Sequence, residues 1–427
     1  MSMRSSEMTS FIAPSRLLAS IESLDDLLAA YRPDDYFLAF PSGAWLGQGV
    51  ACSAAAERRS HLDRARASEA LERSVAALFE EARAKSGVRA PIVMGAVPFD
   101  VRAPARLVVP RVVRRAASRV SERSVGPARK AVEVPHTSPH ALSPEPPREV
   151  YEASVARALE RFERGELEKV VLARSLAVDL QEPPNRPALM RRLTQRNTRG
   201  YTYAVPLEDA RDAALQGRAE PVTFIGASPE LLVRRVGSRV VLNPLAGSTG
   251  RRDHPAEDKR AALALLHSDK DRREHALLID AVAETLRPLC RALDVPTVPS
   301  VIATDSLWHL STTLVGELAD PSMSSLHLAL ALHPTPAVCG VPLEPAMATI
   351  AELEPFDRGL FAGFVGWCDA HGDGEWSVSL RCAELSGSRV RLYAGAGIVP
   401  GSIPTSEATE TGLKFRTMLQ ALSAPSL

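Results

Sequence analysis

Two segments of the 427-residue chain each place acidic residues three positions apart where a helix should begin. They are "SDKDRREHALL" (268–278), with Asp271 and Glu274, and "SEATETGLK" (406–414), with Glu407 and Glu410. Residues three apart share a helix face, so each segment projects a carboxylate pair in one direction. Each pair also has an ordinary reading. Ser268 can cap its helix with Asp271 completing a capping box, and acids favour the positive end of a helix. Ser406 can cap the other helix, with Glu410 pairing to Lys414 one turn on for roughly 0.3–0.5 kcal/mol. Brought together, the two pairs would suit a hard cation such as Mg2+, which takes one or two direct carboxylates plus water and substrate oxygens.

The elements around these segments set the fold class. "FLAFPSGAWLGQGVA" reads as strand, turn, strand, and "HLDRARASEALERSVAALFEEARAKSG" as an amphipathic helix stopped by Gly87. From Arg102 to about Arg148 the composition turns to Arg, Ser and Pro, which predicts a surface connection with order only in "ARLVV". Next, "YEASVARALERFERGE" has helical spacing, and "LEKVVLARSLAVDL" switches to the alternation of a strand. Three short strands over 221–248 precede a helical stretch from about Ala256 to Leu293. "FAGFVGW", "EWSVSLRCAEL" and "RVRLYAGAGIV" read as strands before a last helix, about Glu407 to Leu422. Hairpins with helices between them imply an α+β architecture with large antiparallel sheets rather than repeating βαβ units. Three regions are expected: 1–101 joining the main body, 102–149 as the connection, and 150–425 as the catalytic region.

Several function classes drop out. The 51 basic and 51 acidic residues cancel, removing the global electrostatic case for nucleic acid or an anionic membrane. The basic run in 102–149 lacks the interleaved aromatics of a single-strand binder. Five scattered cysteines form no CxxC pair, and no secretion signal opens the chain, so a reducing cytoplasm is expected. Residues 321–343 carry no Lys, Arg, Asp or Glu, but their prolines and histidines favour buried core over a membrane helix. The glycines of "YAGAGIVPGS" miss the dinucleotide spacing and no βαβ unit follows. "DAHGDG" (369–374) lacks calcium-loop ligands and reads as a hairpin turn, and no HExxH motif supports zinc.

One set of segments points elsewhere. "KVVLAR" (169–174), "GASPELL" (226–232), "NPLAGS" (243–248), "SDKDRREH", "LWHL" (307–310), "HPTPAVCG" (333–340), "AGAGIV" (394–399) and "EATETGLK" stand in the order found in chorismate-utilising enzymes. From about residue 150 the chain resembles that family, whose members pack two large antiparallel sheets together with helices outside. The resemblance implies chorismate, a small dicarboxylate with an allylic hydroxyl, as substrate, and Mg2+ as cofactor. It makes Glu274 and Glu410 the direct metal ligands, with Asp271 and Glu407 behind them holding its waters. Arg381, expected on the strand "SVSLRCAEL", matches the arginine that grips the side-chain carboxylate, and Lys414 a second substrate cation. Gly247 and Gly395 match positions of close backbone approach. Ser248, His309 and Ala337 fall within matching segments and are expected at the substrate.

Chemistry within the family divides by the nucleophile delivered to ring carbon C2. Lys169 stands where water-using members carry an activating lysine; burial beside other cations would have to bring its pKa toward neutrality. Glu230 would face it and protonate the departing C4 hydroxyl, which needs a raised pKa. The implied reaction is chorismate to isochorismate, as in siderophore-pathway enzymes. Alternatives are salicylate formation by further loss of pyruvate, a menaquinone-pathway enzyme, or a non-catalytic binder of aromatic acids. In salicylate-forming members the position of Ala337 looks like threonine, and the small Ala337 favours the dedicated isochorismate-forming type. Amine-transferring members need a glutaminase partner, against which Lys169 speaks. A monomer is expected.

Overall fold

The strand Lys169–Leu180 organises the molecule, a computed structural model that describes residues 22–54, 58–85, 87–88, 90–117, 139–208, 210–218 and 220–422. Nearly all of its residues are buried, as in a strand covered on both faces. It pairs antiparallel with Arg389–Ile398 along ten positions, from Arg389↔Asp179 to Ile398↔Val170, and with Pro139–Glu145 and the short Gly340–Val341. Hydrogen bonding runs on to join 17 strands into one curled, antiparallel sheet. A second sheet has three strands, Leu245–Gly250, Leu307–Ser311 and Ser300–Ala303, also antiparallel. The α+β reading holds, with the ladder continuous through the large sheet and a small sheet beside it.

Two apolar clusters support this frame. The larger contains Trp45, Trp376, Phe364 and Val170, and the smaller gathers Phe37, Leu176, Leu193 and Phe415. Fully burying one such side chain contributes roughly 1.5–3 kcal/mol. The segment 321–343 is core as expected: the helix Ser325–Leu332 buries most of its leucines before the loop that leads to Gly340.

Several local expectations change. The stretch 256–293 is two helices, Pro255–His267 and Asp269–Leu286, broken at Ser268, and then the strand Cys290–Asp294. Ser268 ends one helix and caps the next through Asp271 N–H at 3.3 Å. Four strands, not three, fill 223–250. The last helix begins at Pro404, so Ser406 lies inside it rather than capping it. The Arg/Ser/Pro-rich stretch holds two strands, Arg106–Ala116 and Pro139–Glu145, while 118–138 lie outside the described residues. Of its described arginines, Arg114 pairs with Glu22 and Arg115 lies 5.3 Å from the Trp45 ring centre. The expected order in "ARLVV" is the start of this strand, with Leu107, Val108 and Val109 in the core, and arginine content concealed its continuation to Ala116.

Candidate active site

Both acid pairs belong to helices that face the same cavity. On Asp269–Leu286 the buried stripe is Glu274, His275, Leu278, Ile279, Val282, Ala283 and Leu286, so Glu274 continues an apolar face inward. On Pro404–Leu422 Glu407 likewise opens the buried stripe that continues through Thr411 and Phe415. The strand Lys169–Leu180 brings Lys169 beneath the first helix. Its Nζ lies 3.0 Å from Glu274 Oε1, fully buried and with no hydrogen bond among the described residues.

The cavity encloses about 650 Å3, counting its open mouth. Glu230, Gly247, Ser248, Glu274, His309, Ala337, Arg381, Gly395, Glu410 and Lys414 all line it. Lys169, Asp271 and Glu407 are not on its surface: Lys169 lies behind Glu274, and Asp271 lies against Gly247. The small sheet supplies Gly247, Ser248 and His309 to the cavity. Gly247 has φ +77°, and a Cβ there would come 3.0 Å from Asp271 Cβ, so both conformation and space call for glycine.

Arg381 departs from its expected place on a strand. The segment "EWSVSLRCAEL" breaks after Val378, and Arg381 stands between Gly374–Val378 and Cys382–Ser386 with φ 49°. Backbone bonds from Ala362 N to Ser379 O and from Ala227 N to Arg381 O hold this break, and Arg381 lines the cavity from it.

The charges are locally compensated. Glu410 Oε1 lies 2.6 Å from Lys414 Nζ and accepts a 3.1 Å bond from Ser248 Oγ, while Lys414 also donates to Gly395 O at 2.8 Å. The expected Glu410–Lys414 pair exists, but in the cavity wall instead of on a solvated surface. Burial pushes the Glu410 carboxyl up, and Lys414 with Ser248 more than offsets this, leaving it below its ordinary value. Glu407 accepts from Lys270 Nζ at 2.9 Å, yet burial and the nearby Glu410 raise it. Burial, with the charges of Glu274 and Glu410, also raises Asp271. Burial lowers Arg381 against the pull of Glu410 and Glu230. His309 is pushed well down by burial and by Arg381 and Lys414, and its Nε2 has no partner among the described residues.

Glu230 has the largest consequence. Only 3% exposed, it receives a single long bond from Leu245 N–H at 3.4 Å. Burial drives its carboxyl up to about 8 despite that bond and the positive charges of Lys169, Arg381 and Lys414. At neutral pH it is a protonated acid facing a cavity.

Two contributors escaped the sequence reading. An ideal Cβ on Gly397 would fall 2.3 Å from Glu274 Oε1 and 3.2 Å from Lys169 Cε, so this glycine makes room for that pair. The signal was present, because Gly395 and Gly397 are two apart on one strand and share a face. Lys270, beside Asp271 in sequence, supplies the counter-ion of Glu407. No three Asp, Glu, His or Cys side chains among the described residues lie close enough to cage a metal. The donor set instead fits a cation held by two carboxylates, since Glu274 and Glu410 share the cavity wall and Mg2+ commonly takes its other ligands from water and substrate.

A profile for the family described as chorismate binding enzyme matches residues 106–423, and the chain belongs to that family. Among its relatives, isochorismate synthase DhbC of Bacillus subtilis (strain 168) is 47% identical over 399 residues, covering 93% of this chain and 96% of that protein. Isochorismate synthase EntC of Escherichia coli (strain K12) is 40% identical over 348 residues, 82% of this chain and 85% of its own. A crystal structure from Bacillus anthracis, described as a candidate 2,3-dihydroxybenzoate-specific isochorismate synthase, superimposes with a TM-score of 0.82 at 42% identity, covering 93% of this chain and 98% of that one.

Proposed function

We propose that the protein is an isochorismate synthase, an isomerase that converts chorismate to isochorismate and supplies a 2,3-dihydroxybenzoate siderophore route. One observation carries the reading: a buried, protonated Glu230 shares a cavity with Glu274, behind which Lys169 waits, while Arg381 and Lys414 line the same walls. A protonated acid and two cations therefore line a space suited to a dicarboxylate, with the Lys169 amine one side chain back from it. The relatives named above support the assignment at high coverage.

In the mechanism, Arg381 holds the side-chain carboxylate of chorismate through its planar donor fork and Lys414 adds a second positive charge. Glu274 and Glu410 would hold Mg2+, with Asp271 and Glu407 behind them, and the ion would supply neutralising charge for a carboxylate substrate. Lys169 takes a proton from water as its oxygen bonds to C2, and both conjugated ring double bonds shift one place, C1=C2 to C1=C6 and C5=C6 to C4=C5. The C4–O bond breaks, and Glu230 gives its proton to the departing hydroxide, which leaves as water. One water enters and one leaves; a proton passed back from Lys169 to Glu230 restores both groups. His309, kept neutral by burial and its cationic neighbours, offers Nε2 to substrate, and Ala337 leaves the wall small and apolar.

No helix among the described residues is long and apolar enough to cross a membrane, and the proposal places a monomer in the cytoplasm with no glutaminase partner. Incubating purified protein with chorismate, with Mg2+ or with EDTA, and separating the products tests the reading. Isochorismate alone, lost on chelation, is the expected result. Salicylate with pyruvate would make it a salicylate synthase, and unchanged chorismate would overturn the enzymatic reading.

A further inference from the structure

The motif "KVVLAR" contains a second charged residue that the chemistry above leaves unused. Arg174 is buried, five residues beyond Lys169 on the same strand. An odd offset puts the two side chains on opposite faces. Burial of a guanidinium without a carboxylate is costly, and burial lowers Arg174 from its ordinary value. Its acceptors are neutral: Nε donates to Thr411 Oγ1 at 2.8 Å and Nη2 to Ala408 O at 2.9 Å. The guanidinium carbon lies 5.6 Å from the ring centres of both Tyr151 and Phe415, and Tyr151 in turn donates to Leu172 O on the same strand at 3.1 Å.

The choice of acceptors is informative. Ala408 directly follows Glu407, and Thr411 directly follows Glu410. Thr411 Oγ1 also donates to Ala408 O at 2.8 Å, so the two contacts form one linked unit on a single helical turn. The fork of an arginine can hold both acceptors at once, fixing rotation and axial position together, which a lysine point charge cannot do. The two aromatic rings confine its plane.

We propose that Arg174 is a positioning residue for the metal-side carboxylates. It ties the helical turn bearing Glu407 and Glu410 to the strand whose other face carries Lys169, so one piece of backbone sets the separation between base and acids. The inference rests on the isochorismate synthase reading and on Mg2+ binding by Glu410.

The test uses the full chain with R174K, R174A and T411V, the last removing the acceptor hydroxyl with little change in shape. Mg2+ is titrated calorimetrically into each protein, and kcat and KM for chorismate are measured across Mg2+ concentrations, with thermal unfolding alongside. Loss of one charge-assisted bond predicts roughly tenfold weaker Mg2+ binding in T411V and R174K and more in R174A. Turnover in T411V and R174K is expected to recover as Mg2+ is raised. A role in folding alone would lower the melting temperature and leave Mg2+ affinity as in wild type, which overturns the inference even if R174A fails to fold, because T411V and R174K carry the comparison. If wild type itself forms no isochorismate or binds no Mg2+, the functional reading falls, and this inference with it.

Discussion

Glu230→Gln separates a buried acid's role in chemistry from its effect on stability, and the two must change in opposite directions. A carboxyl whose pKa rises from 4.5 to about 8 on folding retains its proton in the native state after the unfolded chain has lost it. Below 4.5 both states are protonated and the group costs nothing. As pH rises from there to about 8, the native state binds one proton more than the unfolded state, so stability falls by about 1.4 kcal/mol per pH unit. Above 8 the loss levels off at about 5 kcal/mol, an upper bound because water entering the cavity would reduce the desolvation behind it. Glutamine has the same shape and no such titration.

Urea midpoints of wild type and E230Q compared from pH 5 to 9 read this difference directly, because every other titrating group is common to both. E230Q should gain on wild type steadily to about pH 8 and then hold a constant advantage. Its turnover should fall by about 10²–10⁴, the usual worth of a general acid, with chorismate KM changed little. Wild-type kcat/KM should decline as pH rises through about 8 and the acid ionises. Parallel stability profiles for the two proteins, or a competent E230Q, would refute the argument.

Three other substitutions test separate parts of the site. Lys169→Ala should abolish turnover while chorismate still binds, as measured by calorimetry; a protein that only bound aromatic acids would show no turnover before or after. Gly397→Ala should push Glu274 off Lys169, since the new methyl carbon would stand 2.3 Å from Glu274 Oε1. A loss of roughly 100-fold in kcat/KM is expected, with a lower melting temperature because Lys169 is left buried without its counter-ion. Asp258 accepts bonds from Arg251, from Arg252 N–H and from Trp308 Nε1 at 2.8 Å, and these hold its carboxyl well below the usual range, Arg251 first. Asp258→Asn should lower the melting temperature at neutral pH and raise chorismate KM, because Trp308 adjoins His309. As pH falls below about 4 toward the depressed folded pKa, the wild-type advantage should shrink.

How far the site could be read from sequence depended on whether a residue's surroundings were local. Glu274 and Glu407 were legible as members of acid pairs three apart at helix starts, and the family resemblance gave them their roles; that each continues a buried helical face appears only in the structure. Gly395 came from the family resemblance, and the period of two in "AGAGIV" that would have added Gly397 was not used. Arg381 was misplaced because "EWSVSLRCAEL" alternates without a local break signal. What breaks the strand is Ala362 N–H taking Ser379 O, a contact between segments that local patterns do not encode. Depth was hidden in the same way: strand alternation gives the side Lys169 faces, not that Glu274 lies between it and the cavity.

Net charge hid the most. Buried charges survive only when compensated nearby, so every site carboxylate that pairs brings its own cation: Lys169 with Glu274, Lys270 with Glu407, and Lys414 with Glu410. A site built this way adds equal numbers of cations and anions, so it leaves no trace in a balance of 51 against 51. Among the described residues Glu230 and Asp271 have no paired cation, and of the two only Glu230 lines the cavity, neutral instead of compensated. Among the acids that line the cavity it alone stands outside an ion pair and carries a proton to give, and that physical difference assigns the acid's role to Glu230 rather than to Glu274 or Glu410.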